Sequence, residues 1–138
     1  MPDQIISQEG YDKLKKELDD RLGTKRLEIA GRIETAKELG DLSENAEYAE
    51  AKDEQAFNDG RIAELMALLK NVTVVEANGD KHKIGMGSKI TAASDGKTKE
   101  FTIVSFNEAN PSEGKISNES PLGVAFLGKK KGDKVAVN

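Results

Sequence analysis

The sequence predicts an α+β protein in two parts: an antiparallel α-helical coiled-coil hairpin, then a small domain of short strands. Three observations predict it. Apolar residues in the first half recur at helical spacing, residue usage changes near Asn71–Val72, and β-prone runs separated by turn signals fill the second half. The charge divides at the same place. Residues 1–71 carry 17 acidic and 11 basic side chains, net −6, whereas residues 72–138 carry 8 acidic and 10 basic, net +2. Glu, Asp, Lys, Leu and Ala dominate the first stretch, and most of the Val, Gly, Thr and Ser lie in the second. The expected domains are therefore 1–71 and 72–138.

The first helix is expected from Gln8. Ser7 is a suitable N-cap, with Glu9 in the first turn. Apolar residues follow at Tyr11, Leu14, Leu18, Leu22, Ile29, Ile33 and Ala36, with spacings of 3, 4, 4, 7, 4 and 3, a heptad seam. Gly23 and Gly31 weaken this helix by about 1 kcal/mol each relative to Ala. The run closes at Leu39–Gly40, with Gly in the usual terminating position. A second periodic segment uses Leu42, Ala46, Ala49, Ala56, Phe57, Ile62, Ala63, Leu65, Met66 and Leu69. The connection is short enough to force an antiparallel return. A first helix of about 48 Å, at ~1.5 Å per residue, is expected to project as a finger.

In the second half, strands are expected at Val72–Val75, Lys89–Ala92, Phe101–Phe106 and Val135–Val137. Asn78–Gly79, Asp95–Gly96, Asn110–Pro111 and Gly132–Asp133 are the turn signals between them. One short helix is expected over 120–127, with Ser120 as N-cap, Pro121 at the first helical position and Gly128 closing it.

Composition excludes several chemistries. No Cys means no disulfide, thiolate zinc site, iron–sulfur cluster or thiol nucleophile. The single His82 excludes multi-histidine metal sites and reads as a surface loop residue between Lys81 and Lys83. No apolar run approaches the ~20 residues of a membrane span. The N-terminus has neither the basic nor the apolar region of a signal peptide, so a cytoplasmic protein without a membrane partner is expected.

The turn between the helices concentrates acid. From 41 to 54 there are six carboxylates (Asp41, Glu44, Glu47, Glu50, Asp53, Glu54) and one cation, Lys52. Spacing supports two readings. Asp41-x-x-Glu44 is a capping box for the second helix, and first-turn acids complement its dipole. Alternatively, two carboxylates three residues apart supply hard oxygen ligands of the kind Mg²⁺ takes. Two carboxylates do not make a cage, so such an ion would be shared with another molecule's site.

The nine residues Gly40-Asp41-Leu42-Ser43-Glu44-Asn45-Ala46-Glu47-Tyr48 resemble the tip motif of the bacterial Gre transcript-cleavage factors. The resemblance continues through Gly60-Arg61-Ile62, Gly87-Ser88-Lys89-Ile90, Ile103-Val104, Gly114-Lys115-Ile116-Ser117, Ser120-Pro121-Leu122-Gly123 and Leu127-Gly128-Lys129. It implies an N-terminal antiparallel coiled coil and an FKBP-like second domain. It also implies a monomeric partner of bacterial RNA polymerase that enters the secondary channel. There the tip acids would help hold a catalytic Mg²⁺ shared with the polymerase, so that the polymerase cleaves the 3′ end of backtracked nascent RNA. The chain would not itself be an enzyme and would carry no cofactor of its own.

Residue by residue, the resemblance makes Asp41 and Glu44 the catalytic, metal-facing acids. It makes Lys37 and Lys52 contacts to the RNA end, and Glu119, Ser120 and Pro121 the polymerase-binding segment. A solvated helix face is the alternative for both lysines, and net −6 argues against a broad RNA-binding stripe. The family pattern runs on past Val135 into one more strand, so the second domain is expected to lack the usual final strand and to expose a sheet edge. The alternatives to cleavage stimulation are a family antagonist that occupies the channel, or a coiled-coil chaperone or prolyl isomerase. Phe101, Phe106 and Phe126, without Tyr or Trp, are poor material for an aromatic proline pocket.

Overall fold

The structure, a computed structural model, describes residues 4–41, 45–77 and 82–137. Its elements in chain order are β1 (Gln4–Ser7), α1 (Gln8–Asp20), a π-helical turn (Arg21–Lys25), α2 (Arg26–Glu38), α3 (Ala46–Lys70), β2 (Val72–Val75), β3 (Lys89–Ser94), β4 (Lys97–Val104), a 3₁₀ turn (Pro111–Glu113), β5 (Lys115–Ser117) and α4 (Pro121–Phe126). Packing divides the chain into a helical unit, Lys13–Asn71, and a sheet unit made of the residues up to Asp12 and from Val72 onward. One junction between these units falls at Asn71/Val72. The residues before Lys13, expected with the helices, group with the strands instead. The reason is β1, which sequence reading missed: it pairs in parallel with β2, from Gln4 opposite Val72 to Ser7 opposite Val75.

In the helical unit, partner numbers fall on one side as they rise on the other, so the helices are antiparallel. Glu17 meets Arg61, Arg21 meets Asn58, Lys25 meets Glu54, and Arg32 meets Glu54 and Glu50. The expected first helix forms without a break from Gln8 to Glu38, but its middle five residues are π-helical. Its seam is largely as expected: Leu14, Leu18, Ile29 and Ala36 are buried, and Leu22 and Ile33 half-buried. The seam of α3 is only partly the expected one: Ile62, Leu65 and Leu69 lie inward as expected. Ala46, Ala49, Ala56, Phe57, Ala63 and Met66 are exposed. The buried or half-buried stripe is Tyr48, Ala51, Gln55, Asn58, Ile62, Leu65 and Leu69, an unbroken 3–4 repeat. Polar residues at two of its positions, Gln55 and Asn58, hid this stripe from a reading based on apolar spacing.

In the sheet unit, Ser7 caps α1 as expected, its Oγ accepting from the Gly10 N–H at 3.0 Å. Buried Ser105 accepts from the Ser7 N–H at 2.6 Å, and Asn107 Nδ2 donates to the Gly10 carbonyl at 3.0 Å. β3 and β4 form an antiparallel hairpin, Lys89 opposite Thr102 through Ser94 opposite Lys97. Its loop is the expected Asp95–Gly96, with φ of 52° and 77°, the two left-handed residues that match strand twist. β5, a second strand that was not expected, pairs in parallel with β4. Val135–Val137 forms no strand: β-branched residues need a neighbouring edge to pair with, and Val135 packs against the core instead. The Asn78–Gly79 turn lies outside the described residues.

The sheet unit's core is Met86, Ile103, Ile116 and Phe126, with Val75, Ile84, Ile90, Ala92, Phe101, Leu122, Leu127 and Val135 against it. The Phe101 and Phe126 rings stand 5.7 Å apart and fill this core. α4 carries the expected cap and proline. Ser120 Oγ accepts from the Gly123 N–H at 3.0 Å and donates to the Ser117 carbonyl at 2.7 Å. Gly123 permits this packing, since a Cβ there would lie 2.0 Å from the Ser117 oxygen.

Candidate functional site

The site candidate is the turn that joins α2 to α3. α2 ends with Leu39 N–H donating to the Ala36 carbonyl at 3.1 Å and Gly40 N–H to the Lys37 carbonyl at 3.3 Å. Gly40 then takes φ of +111°, a value that favours glycine. The exposed Asp41 follows. Glu44, the second expected acid, lies outside the described residues, as does Leu42.

The capping box expected between Asp41 and Glu44 lies outside the described residues, but Asp41 is not the N-cap of α3. α3 begins at Ala46, and its N-cap is Asn45, whose side chain accepts from the Tyr48 N–H at 3.1 Å. Asp41 lies four residues too early to cap this helix. Asn45 also donates from Nδ2 to the Ala36 carbonyl at 2.6 Å. One side chain thus satisfies a donor at the start of α3 and an acceptor near the end of α2. Sequence reading missed this residue. Its signal was present, because Asn is as good a cap as Asp, but Asp41 offered the same chemistry earlier in the chain.

The remaining tip acids divide by role. Glu54 pairs with Lys25 at 3.1 Å and with Arg32, and Glu50 stands 3.8 Å from Arg32, so both tie α3 to the first helical stretch. Asp41, Glu47 and Asp53 are exposed. Lys37 is exposed in the last turn of α2. Lys52 is exposed on α3, its ammonium donating to Gln55 Oε1 at 3.0 Å. Among the described residues no group of three or more His, Cys, Asp or Glu could hold a metal ion.

Farther along the helices, Glu17 accepts two hydrogen bonds from Arg61, at 2.9 and 3.0 Å, and one from Arg21 at 2.8 Å. The Arg61 hydrogen bonds are the main reason its carboxyl is lowered to about 2; burial opposes them and Arg21 assists. The same pairing raises Arg61 above its ordinary value.

The other expected site segment lies in the sheet unit. Glu119 is exposed, and Gln4 Nε2 donates to both of its carboxylate oxygens, at 3.0 and 2.9 Å. Ser120 is half-buried by its capping role, Pro121 is exposed, and Val124 beyond it is 59% exposed. Gln4 could not have been linked to Glu119 from the sequence, because β1 was not recognised.

Comparison with known proteins assigns the class. The family profile described as "Transcription elongation factor, N-terminal" matches residues 4–74, and "Transcription elongation factor, GreA/GreB, C-term" matches residues 79–138. Together they define a transcription elongation factor. The chain belongs to the GreA/GreB family. It is 47% identical over 135 residues to transcription elongation factor GreA of Roseiflexus sp. (strain RS-1), covering 96% of this chain and 86% of that one. It is 48% identical over 136 residues to GreA of Thermoanaerobacter pseudethanolicus, covering 96% and 87%. GreA of Bacillus cereus (strain AH187) is 44% identical, covering 96% and 85%. The solved structure of Thermus aquaticus Gfh1 aligns over 99% of this chain and 90% of its own, at 27% identity and a TM-score of 0.49. Among the described residues no helix is long and apolar enough to cross a membrane.

Proposed function

We propose that this elongation factor acts as a monomer on bacterial RNA polymerase, stimulating the polymerase's own cleavage of the 3′ end of backtracked RNA from within the secondary channel. The observation that carries the reading is the division of labour at the tip. Asn45 caps α3 and holds the end of α2, so the exposed Asp41 is not needed to start the helix. The Asp41 carboxylate is exposed on the turn between α2 and α3, where another molecule can reach it.

A carboxylate on a turn braced by two helix ends suits presentation to another molecule's site. The donor chemistry fits Mg²⁺, which takes hard oxygen ligands. Two carboxylates are too few to hold the ion alone, so Asp41 and Glu44 would be this chain's part of a shared site. When bound, Mg²⁺ would favour hydroxide formation and offset charge on the phosphodiester. This chain's residues would orient the ion's open side and bring negative charge to it. Lys37 and Lys52, exposed on α2 and α3, would meet the RNA phosphates, and Glu119, Ser120 and Pro121 would bind the polymerase rim.

The test is the double change Asp41→Asn, Glu44→Gln, assayed on stalled elongation complexes. Asn45 is untouched, so the fold and polymerase binding are expected to persist. Stimulated cleavage should fall by about a hundredfold or more, because neutral amides are poor Mg²⁺ ligands. Parent-level cleavage by the variant would sink the assignment. The same assay separates the antagonist alternative, which predicts that the parent binds without stimulating.

A further inference from the structure

The two helical stretches of the hairpin do not have the same number of residues along their seam. α3 keeps an unbroken 3–4 repeat through Tyr48, Ala51, Gln55, Asn58, Ile62, Leu65 and Leu69. Opposite it, Leu14 and Leu18 set a repeat whose next members would be Arg21, Lys25, Glu28, Arg32 and Thr35. The buried or half-buried positions beyond the π-helical turn are instead Ile29, Ile33 and Ala36, each one residue later. At the changeover Arg21 and Leu22 are both half-buried. One extra residue has been inserted, and a π turn is the helical form that absorbs one residue without rotating the turns beyond it. In an uninterrupted α-helix the extra residue would swing Ile29, Ile33 and Ala36 off α3 by about 100°.

The π turn has a marker opposite it. Asn58 is 1% exposed at a seam position, where an apolar residue would pack better. Its Nδ2 donates to the Arg21 carbonyl at 3.2 Å, and its Oδ1 accepts from Arg21 Nη1 at 3.1 Å. Both bonds go to the first residue of the π turn. A single buried Asn in a coiled-coil seam specifies register at a cost in stability.

We infer that Asn58 is a positioning residue: by binding both ends of Arg21 it fixes where the inserted residue is absorbed, and so sets the rotation of α2 and of the tip that α2 carries. Asn58 touches no substrate; it acts through the phase of the helix that ends beside Asp41. The inference rests on the tip acting in cleavage, and it predicts a specific rescue. If Asn58 serves only to hold an inserted residue, deleting that residue makes Asn58 dispensable. Without Thr24, the residues now at 29, 33 and 36 move up by one and complete the repeat begun by Leu14 and Leu18.

The chain has no cysteine, so cysteines placed at exposed Glu34 and Asp53 can carry spin labels for a distance measurement across α2 and α3. The parent is expected to give one narrow distance distribution. Asn58→Leu should broaden or split it and lower stimulated RNA cleavage by at least about tenfold, since misplacement on the order of 1 Å can cost a hundredfold. Deleting Thr24 in the Asn58→Leu background should restore both the narrow distribution and the cleavage. A narrow, parent-like distribution in Asn58→Leu overturns the inference, as does a loss that the deletion fails to repair. If Asn58→Leu alone does not fold, the double variant decides: folded and narrow supports the inference, and unfolded overturns it. A parent that stimulates no cleavage defeats the proposed function, while the distance arm still judges the register.

Discussion

Among the described residues from Lys13 to Asn71 the buried apolar ones are Leu14, Leu18, Ile29, Ala36, Ala51, Ile62 and Leu65, a single file interrupted by buried Asn58. Beside that file run ion pairs from Glu17, Arg21, Lys25, Arg32, Glu50, Glu54 and Arg61. In the sheet unit the Met86, Ile103, Ile116 and Phe126 cluster is surrounded on several sides by further apolar side chains. Backbone there approaches backbone closely, as at Gly123 and the Ser117 carbonyl. A two-helix seam has no third layer to enclose it, so charged and amide groups set its register. A sheet with a helix against it can specify itself by shape. The two units should therefore break under different insults.

The largest effect is expected where shape decides. Gly123→Ala places a Cβ 2.0 Å from the Ser117 oxygen, and forced overpacking of this kind costs about 3 kcal/mol. Hydrogen exchange should show β4 amides losing protection while α3 amides keep theirs. Equal loss in both would mean that the units do not differ in this way.

A smaller effect is expected where charge decides. Arg61→Met removes the main partner of Glu17, a pair whose side chains are 27% and 32% exposed. The cost at neutral pH should be about 1–2 kcal/mol, between surface and buried pairs. Its pH dependence has a definite sign. Glu17 is lowered from 4.5 to about 2, so its stabilisation is fully present above 4.5 and is lost as pH falls through 2. Unfolding measured by helical circular dichroism should show the parent–variant difference shrinking across that window. A difference that does not change between pH 6 and 2 would assign the loss to packing of the Arg61 stem instead.

The smallest effect has the opposite sign. Gly31 is exposed within α2, and a Cβ there meets nothing within 4 Å. Gly31→Ala should stabilise the helical unit by about 0.5–1 kcal/mol, read as a raised midpoint of the helical transition. Two Gly→Ala changes of opposite sign would sharpen the contrast between a crowded sheet unit and an open hairpin.

What could be read from the sequence depended on whether apolar side chains marked the geometry. The first helix was legible because Leu and Ile occupy its seam. Its spacing even contained the insertion, as two consecutive fours between Leu14 and Leu22, but that pattern also passes for an ordinary heptad. α3 was legible as a helix and not as a face, since Gln55 and Asn58 lie inward while Phe57 is 67% exposed. β1 was missed because four residues carry little pattern and their partner strand begins only at Val72. At the tip, Asp41 and Asn45 are equally good caps by residue type. Only the observed start of α3 shows which of them is its N-cap.

The parallel pairing of β1 with β2 makes the helical hairpin an insertion. The sheet unit's sequence is split, opening before Lys13 and resuming at Val72, with the hairpin spliced between its first two strands. Cutting the chain at the composition boundary alone would strip β1 from its partner and remove Ser7 and Gly10 from their bonds with Ser105 and Asn107. Grafting the hairpin of one relative onto the sheet unit of another therefore calls for two seams, at Asp12/Lys13 and Asn71/Val72. The hairpin is in this sense a cassette with two junctions, and a chimaera joined at only one would mix two parents inside a single sheet.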